Sequence, residues 1–167
     1  MNNKVKKVLV LLLAMVMLLS IPVSAASVNG GKSYNKAKKV GRGTTVVTQK
    51  AGTASYVKFK APKTKKYKFT ISSLRCGGSF QNVYANAHFA TGGEYNYVTF
   101  KQNGNTTTTL FLTTTRNYNS SRKTGTTNIT SLPKRTASFR LAKGQTVVMR
   151  LYAAASGSPV RYNLKIS

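Results

Sequence analysis

The sequence predicts an all-β protein: a single β-sandwich or jelly roll of about eight or nine antiparallel strands behind a signal peptide. Three observations carry this. Apolar and polar residues alternate at period two in segment after segment, Gly, Asn and Pro punctuate those segments at turn-like intervals, and no stretch of the mature chain repeats at helical spacing. The clearest segment is 55–72, SYVKFKAPKTKKYKFTIS, where Val57 and Phe59, then Tyr67, Phe69 and Ile71, alternate with Lys58, Lys60, Lys66 and Lys68. These are two half-buried strands joined by a turn over Ala61 to Lys65 that contains Pro62. If the two strands pair directly, Lys60 lies opposite Lys66 and Lys58 opposite Lys68. Facing like charges destabilise a sheet by roughly 0.2 to 1 kcal/mol, so these lysines point to an anion that neutralises them; the competing reading is a solvated face on which lysine blocks edge-to-edge aggregation.

Along the chain, residues 1–25 read as a signal peptide. Lys4, Lys6 and Lys7 precede the apolar run Val8 to Leu19, and Val23, Ser24 and Ala25 form a small-residue cleavage site. The run falls short of the roughly 20 apolar residues that span a bilayer, so the mature chain is expected to carry no transmembrane segment. Residues 26–43 are rich in Gly, Asn, Ser and Lys without a sustained period and read as a flexible basic lead-in; the sandwich domain is expected over 44–167. Thr44 to Gln49 is β-branched and strand-like, and Ala51 with Gly52 forms a turn. Strands are expected near 80–90, 94–101 and 106–115, with Asn103 and Gly104 as a hairpin turn between the last two. Tyr118 to Thr127 reads as a basic loop. Three closing strands, Arg135 to Ala142, Gln145 to Ala153 and Val160 to Ile166, turn at Lys143 with Gly144 and over Ser156 to Pro159. Their alternation points Arg140, Arg150, Arg161 and Lys165 outward.

Charge decides the class of partner. The chain has 27 basic residues and one acid, Glu94; removal of Lys4, Lys6 and Lys7 leaves 24 basic residues. Twelve of those 24 lie between Lys32 and Lys68, so the amino-terminal part of the mature chain is the main cationic zone. So one-sided a charge attracts polyanions and speeds their encounter. With 41% hydrophobic residues, the chain still has enough apolar material to build a core, which argues against disorder. Cys76 is the only cysteine, so no intrachain disulfide forms, and a small buried hydrophobe is its ordinary role.

The aromatic strand, Pro-bearing turn and second aromatic strand of YVKFKAPKTKKYKFTIS, together with the tail LAKGQTVVMRLYAAASGSPVRYNLKI, resemble the front and closing halves of bacterial pre-peptidase C-terminal modules. The resemblance covers Thr44 to Ser72 and Leu141 to Ile166. It implies a jelly-roll sandwich of the kind appended to exported bacterial enzymes, acting as a noncatalytic binding or secretion-linked domain. Where such modules often carry an acidic residue before the first aromatic strand, this chain has Thr53, Ala54 and Ser55, which removes the expected support for a calcium role.

Inventory excludes most chemistry. One carboxylate cannot supply a carboxylate pair, and Cys76, His88 and Glu94 are the whole supply of typical zinc ligands. Cys76 with His88 is the one conceivable thiol and base pair, without a motif around either; His88 is expected as a strand residue and Glu94 as a partner for a nearby Lys or Arg. No cofactor, no metal and no enzymatic activity are expected. The sequence therefore predicts a secreted, extracellular or cell-wall-associated binding module that holds an anionic cell-envelope polymer or glycan. Lys58, Lys60, Lys66, Lys68, Arg140, Arg150 and Lys165 are the expected polyanion contacts, with the neutral aromatic middle as a possible sugar-stacking surface. The alternative is a secreted cationic effector that binds nucleic acid nonspecifically or acts on anionic membranes. The oligomeric state is left open.

Overall fold

A computed structural model of the 167-residue chain describes residues 25–76, 83–114, 134–155 and 157–167. Among them are twelve strands: β1 (Ala26–Asn29), β2 (Lys38–Lys39), β3 (Gly43–Gln49), β4 (Thr53–Lys60), β5 (Lys65–Cys76), β6 (Val83–Thr91), β7 (Phe100–Gln102), β8 (Asn105–Thr107), β9 (Thr109–Thr113), β10 (Arg135–Leu141), β11 (Thr146–Ala155) and β12 (Val160–Ile166). They form two five-stranded sheets, ordered β1-β3-β12-β5-β10 and β2-β4-β11-β6-β9, and a two-stranded hairpin of β7 and β8. Setting aside the short strands, the chain alternates between sheets from β3 to β6 and again from β9 to β12. That is the connectivity of a jelly roll. No helix among the described residues is long and apolar enough to cross a membrane.

The period-two patterns become the two inner faces. Val57 and Phe59 of β4, Tyr67, Phe69 and Ile71 of β5, Val147, Met149 and Leu151 of β11, and Tyr162, Leu164 and Ile166 of β12 are all buried in one core. Phe69 is its centre: its ring stacks on Phe139 at 4.9 Å and meets Phe89 at 5.2 Å and Phe59 at 6.0 Å. Offset and edge contacts of this kind add about 0.5–1.5 kcal/mol each to the burial itself.

The expected hairpin across Ala61 to Lys65 is corrected by the strand order. β4 pairs with β2 and β11, and β5 with β12 and β10, so the two strands lie in opposite sheets. Both still face one core, where the Phe59 and Tyr67 rings meet edge to face at 5.1 Å. Lys60 therefore does not face Lys66, nor Lys58 Lys68.

The segment 26–43 also differs from a lead-in without structure. β1 pairs in parallel with β3, and β2 in parallel with β4. Between them Gly30 donates to the Thr48 carbonyl at 3.0 Å, and Gly31 exchanges hydrogen bonds with Tyr56 at 2.9 and 3.0 Å. This strap closes one open edge of the sandwich by touching both sheets. Only glycine fits there: a Cβ on Gly31 would lie 2.8 Å from the Lys36 carbonyl carbon.

Asn103 and Gly104 make the expected turn between β7 and β8, both with positive φ (49° and 83°). Residues 94–99 are not a strand. They run as a loop beside β6, with an isolated antiparallel bridge between Tyr97 and Ala90, tied by the Val98 amide to the Phe89 carbonyl at 2.7 Å and by the Thr91 amide to the Asn96 carbonyl at 3.1 Å. The basic loop expected over Tyr118 to Thr127 and the first 24 residues of the leader lie outside the described residues.

Candidate functional site: a cationic sheet face

The outer face of the β3-β12-β5-β10 portion of the first sheet carries an ordered set of cations. Register defines its rungs. Lys66 of β5 faces Arg140 of β10, Lys68 faces Ser138, and Thr70 faces Thr136 on one side and Lys165 of β12 on the other. Lys165 in turn faces Thr44 of β3, Asn163 lies between Ser72 and Val46, and Arg161 between Arg75 and Thr48. Six cations, Lys66, Lys68, Arg75, Arg140, Arg161 and Lys165, are all exposed on this face. Their outward neighbours are Thr, Ser, Asn and one Val, with no Asp or Glu side chain, and Ser167 exchanges backbone hydrogen bonds with Lys68 at 3.1 and 3.2 Å.

Spacing follows from the sheet itself: neighbouring strands lie about 4.8 Å apart, and successive outward residues on one strand about 6.8 Å apart. The result is a regular lattice of ammonium, guanidinium and hydroxyl donors. Hydrogen bonds hold parts of it in place. Thr70 and Thr136 share one through their hydroxyls at 2.9 Å, Asn163 Nδ2 donates to Ser73 Oγ at 3.3 Å, and Arg75 donates to the Ser73 carbonyl at 3.2 Å. Two of the rungs, Lys66 with Arg140 and Arg161 with Arg75, set like charges directly opposite each other.

Of the seven expected contact residues, this face gathers Lys66, Lys68, Arg140 and Lys165. The other three, Lys58, Lys60 and Arg150, lie on the second sheet, whose outer face points away from the first. Lys58 and Lys60 stand there beside Lys39 and Thr146. Arg150 is half-buried and engaged: its Nε donates to the Tyr56 hydroxyl at 3.2 Å, and that hydroxyl donates to Glu94 Oε1 at 3.3 Å. The single carboxylate thus reaches its cation through a tyrosine and anchors the 94–99 loop.

Arg75 and Arg161 are the members that were not among the expected contacts. Arg161 could be read from the alternation of its strand. Arg75 could not, because β5 changes parity at a bulge. Between Arg161 and Asn163 of β12 the register slips, so Ser73 and Leu74 both oppose one residue, and Ser73 takes a positive φ of 54°. Leu74 and Cys76 are thereby buried and Arg75 turns outward.

The conceivable thiol and base pair does not assemble. Cys76 is buried in the core on β5, whereas His88 sits on the outer face of β6, its Nδ1 3.4 Å from Thr109 Oγ1 and its ring 4.9 Å from that of Tyr97. Burial, and then repulsion by Arg150, hold the His88 imidazole below its ordinary pKa, partly offset by a hydrogen bond with the Thr108 backbone. Among the described residues no group of three metal-ligating side chains comes together.

No protein-family model and no curated protein matches the sequence. Among solved structures, the chain is similar to the pre-peptidase C-terminal domain of collagenase from Bacillus anthracis, with a TM-score of 0.41 and 10% identity over 78% of this chain and 93% of that one. It is also similar to CorA, a surface-associated copper-binding protein of Methylomicrobium album BG8, with a TM-score of 0.41 and 8% identity over 86% of this chain and 99% of that one. A pre-peptidase C-terminal domain, the module that the two sequence segments resemble, is thus one of the structures this chain is similar to. The jelly-roll fold itself is read from the chain's own strand order.

Proposed function

We propose that this protein is a secreted, noncatalytic binding module that attaches to an anionic polymer of the bacterial cell envelope through the outer face of the β3-β12-β5-β10 sheet. The observation that carries the reading is the composition of that face: six exposed cations among hydroxyl and amide neighbours, with no Asp or Glu side chain. Two like-charge rungs work against folding, and a bound phosphate or carboxylate turns that repulsion into charge-assisted hydrogen bonds. Each contact is weak on an exposed surface, but contacts repeated along a polymer add as effective concentration. Cations spread over several neighbouring strands suit an extended chain, and serine and threonine hydroxyls between them can serve the neutral oxygens of a sugar or polyol.

Charge alone would make any polyanion bind, so the test must separate place from charge. One variant carries Lys66, Lys68, Arg140 and Lys165 changed to glutamine; its control carries Lys38, Lys39, Lys58 and Lys60 changed to glutamine on the other sheet. Both lose the same charge. Sedimentation with cell walls bearing phosphate polymers, with walls stripped of them and with DNA reads the result. The first variant is expected to lose binding to intact walls at least tenfold and the control less than threefold. Equal loss in both variants, or equal binding of the parent protein to all three materials with complete release by salt, would overturn the proposal.

A further inference from the structure

We infer that the cleft at the strap-closed edge of the sandwich is a second binding site, for a single small anion carried on a polar body: a sugar or polyol bearing a phosphate ester or a carboxylate. The cleft encloses about 630 Å³ between the Gly30–Gly31 strap, the β3-to-β4 connection and Ser158 with Pro159, within the roughly 300–1,000 Å³ usual for small-molecule sites.

Its walls are fixed by backbone contacts. The strap is hydrogen-bonded to Thr48 of one sheet and Tyr56 of the other. Gly30 lies so close to β4 that a Cβ there would sit 2.9 Å from Ser55 Oγ. The opening is thus set by two packed sheets, which favours a preformed site.

Most of the lining residues carry polar side chains, although apolar atoms make up the larger part of the surface they present. Ser55 occupies an inward position on β4, next to the inward Val57 and Phe59, and is only 2% exposed; Gln49, 7% exposed, lies beside it. Buried polar groups need partners, and these have them. Gln49 Nε2 donates to the Thr53 carbonyl at 2.9 Å and the Leu151 carbonyl at 3.3 Å, Ser55 Oγ donates to Gln49 Oε1, and the Tyr162 hydroxyl lies 3.4 Å from Ser55 Oγ. Burial pushes the Tyr162 phenol well above its ordinary pKa, so it stays neutral. The inner end is therefore uncharged and its hydrogen bonds are internal, while Asn29, Thr48, Thr53 and Ser158 of the lining stand at least partly open to solvent and can meet hydroxyl groups.

The lining also includes Lys32 and Lys50, both exposed, and no carboxylate. Two ammonium groups beside a neutral polar end match a ligand with one anionic and one polyol end. Thr48, also in the lining, pairs with Arg161, so the cleft opens beside the last cationic rung of the sheet face. The inference does not require polymer binding, because a monomer suffices to test it.

The experiment is a nuclear magnetic resonance titration of the isotope-labelled protein with glycerol 3-phosphate, with glucuronate and with glucose, following the amides of Gly30, Gly31 and Ala54. At least one of the two anions is expected to shift these amides saturably, with glucose at least fivefold weaker; which anion binds distinguishes a phosphate from a carboxylate ligand. Lys32→Gln with Lys50→Gln is expected to weaken the anion about fivefold. Lys60→Gln with Lys143→Gln, at the opposite end of β4, removes equal charge and is expected to change affinity less than twofold. Absence of saturable shifts at the strap, glucose binding as tightly as the anions, or equal weakening by the two charge-matched pairs would overturn the inference. Loss of polymer binding in the sheet-face variant with cleft binding intact separates the two sites.

Discussion

The Lys66 and Arg140 rung gives a sharp energetic test, because the two side chains stand directly opposite across β5 and β10, are both exposed and carry the same charge. In solvent-like dielectric, two unit charges about 6–8 Å apart repel by about 0.5–0.7 kcal/mol, inside the roughly 0.2–1 kcal/mol range of cross-strand pairs. A double-mutant cycle with Lys66→Gln and Arg140→Gln isolates that repulsion from each residue's other contacts. Each single variant is expected to gain several tenths of a kcal/mol in urea unfolding at 20 mM salt. The double variant should gain about 0.5 kcal/mol less than the sum, since the shared repulsion is removed only once. In a domain of this size 1 kcal/mol moves Tm by about 3–4 °C, so the effect is measurable by heat as well. At 1 M salt the screening length falls to about 3 Å, and the coupling should fall below about 0.2 kcal/mol. Zero coupling at low salt, or a coupling that survives 1 M salt, would refute the opposed-charge reading of this rung. The more stable double variant is expected to hold anionic polymer less tightly.

His88 offers a pH test: its pKa is held below the ordinary 6.5, so the unfolded chain binds more protons in the window beneath that value. Stability should therefore be full above pH 6.5 and decline as pH falls toward the folded-state pKa, while Arg150→Met raises the His88 pKa measured by nuclear magnetic resonance. Gly31→Ala is expected to cost about 1–3 kcal/mol by overpacking, because the added Cβ meets the Lys36 carbonyl; a neutral result in urea unfolding would contradict the tight strap.

Much of the fold was legible in residue alternation. Val57, Phe59, Tyr67, Phe69 and Ile71 announce which side of each strand meets the core, and they are buried as that pattern requires. Alternation does not say which sheet a strand joins. β4 and β5 turn the same kind of face to one core from opposite sides, so the pattern of a hairpin and that of a crossing between sheets are identical over 55–72. That ambiguity separated Lys58 and Lys60 from Lys66 and Lys68. Arg75 was hidden for another reason: the bulge at Ser73 reverses parity inside one strand, and nothing in SSLRC signals it locally. β1 and β2 are short and polar, held by parallel pairing with distant strands and by the close approach of Gly30 to Ser55. The cleft draws on residues near 30, near 50 and near 158, which no local spacing connects.

The most direct test of the cationic face is residue-level mapping of a short phosphodiester polyol oligomer on the protein at physiological salt. The amides and side chains of Lys66, Lys68, Arg75, Arg140, Arg161 and Lys165 are expected to shift together and saturate with a common affinity, while Lys39, Lys58 and Lys60 on the other sheet stay within noise. Shifts of equal size on both sheets, without saturation, would mean that net charge alone attracts the polymer and would contradict a site on this face.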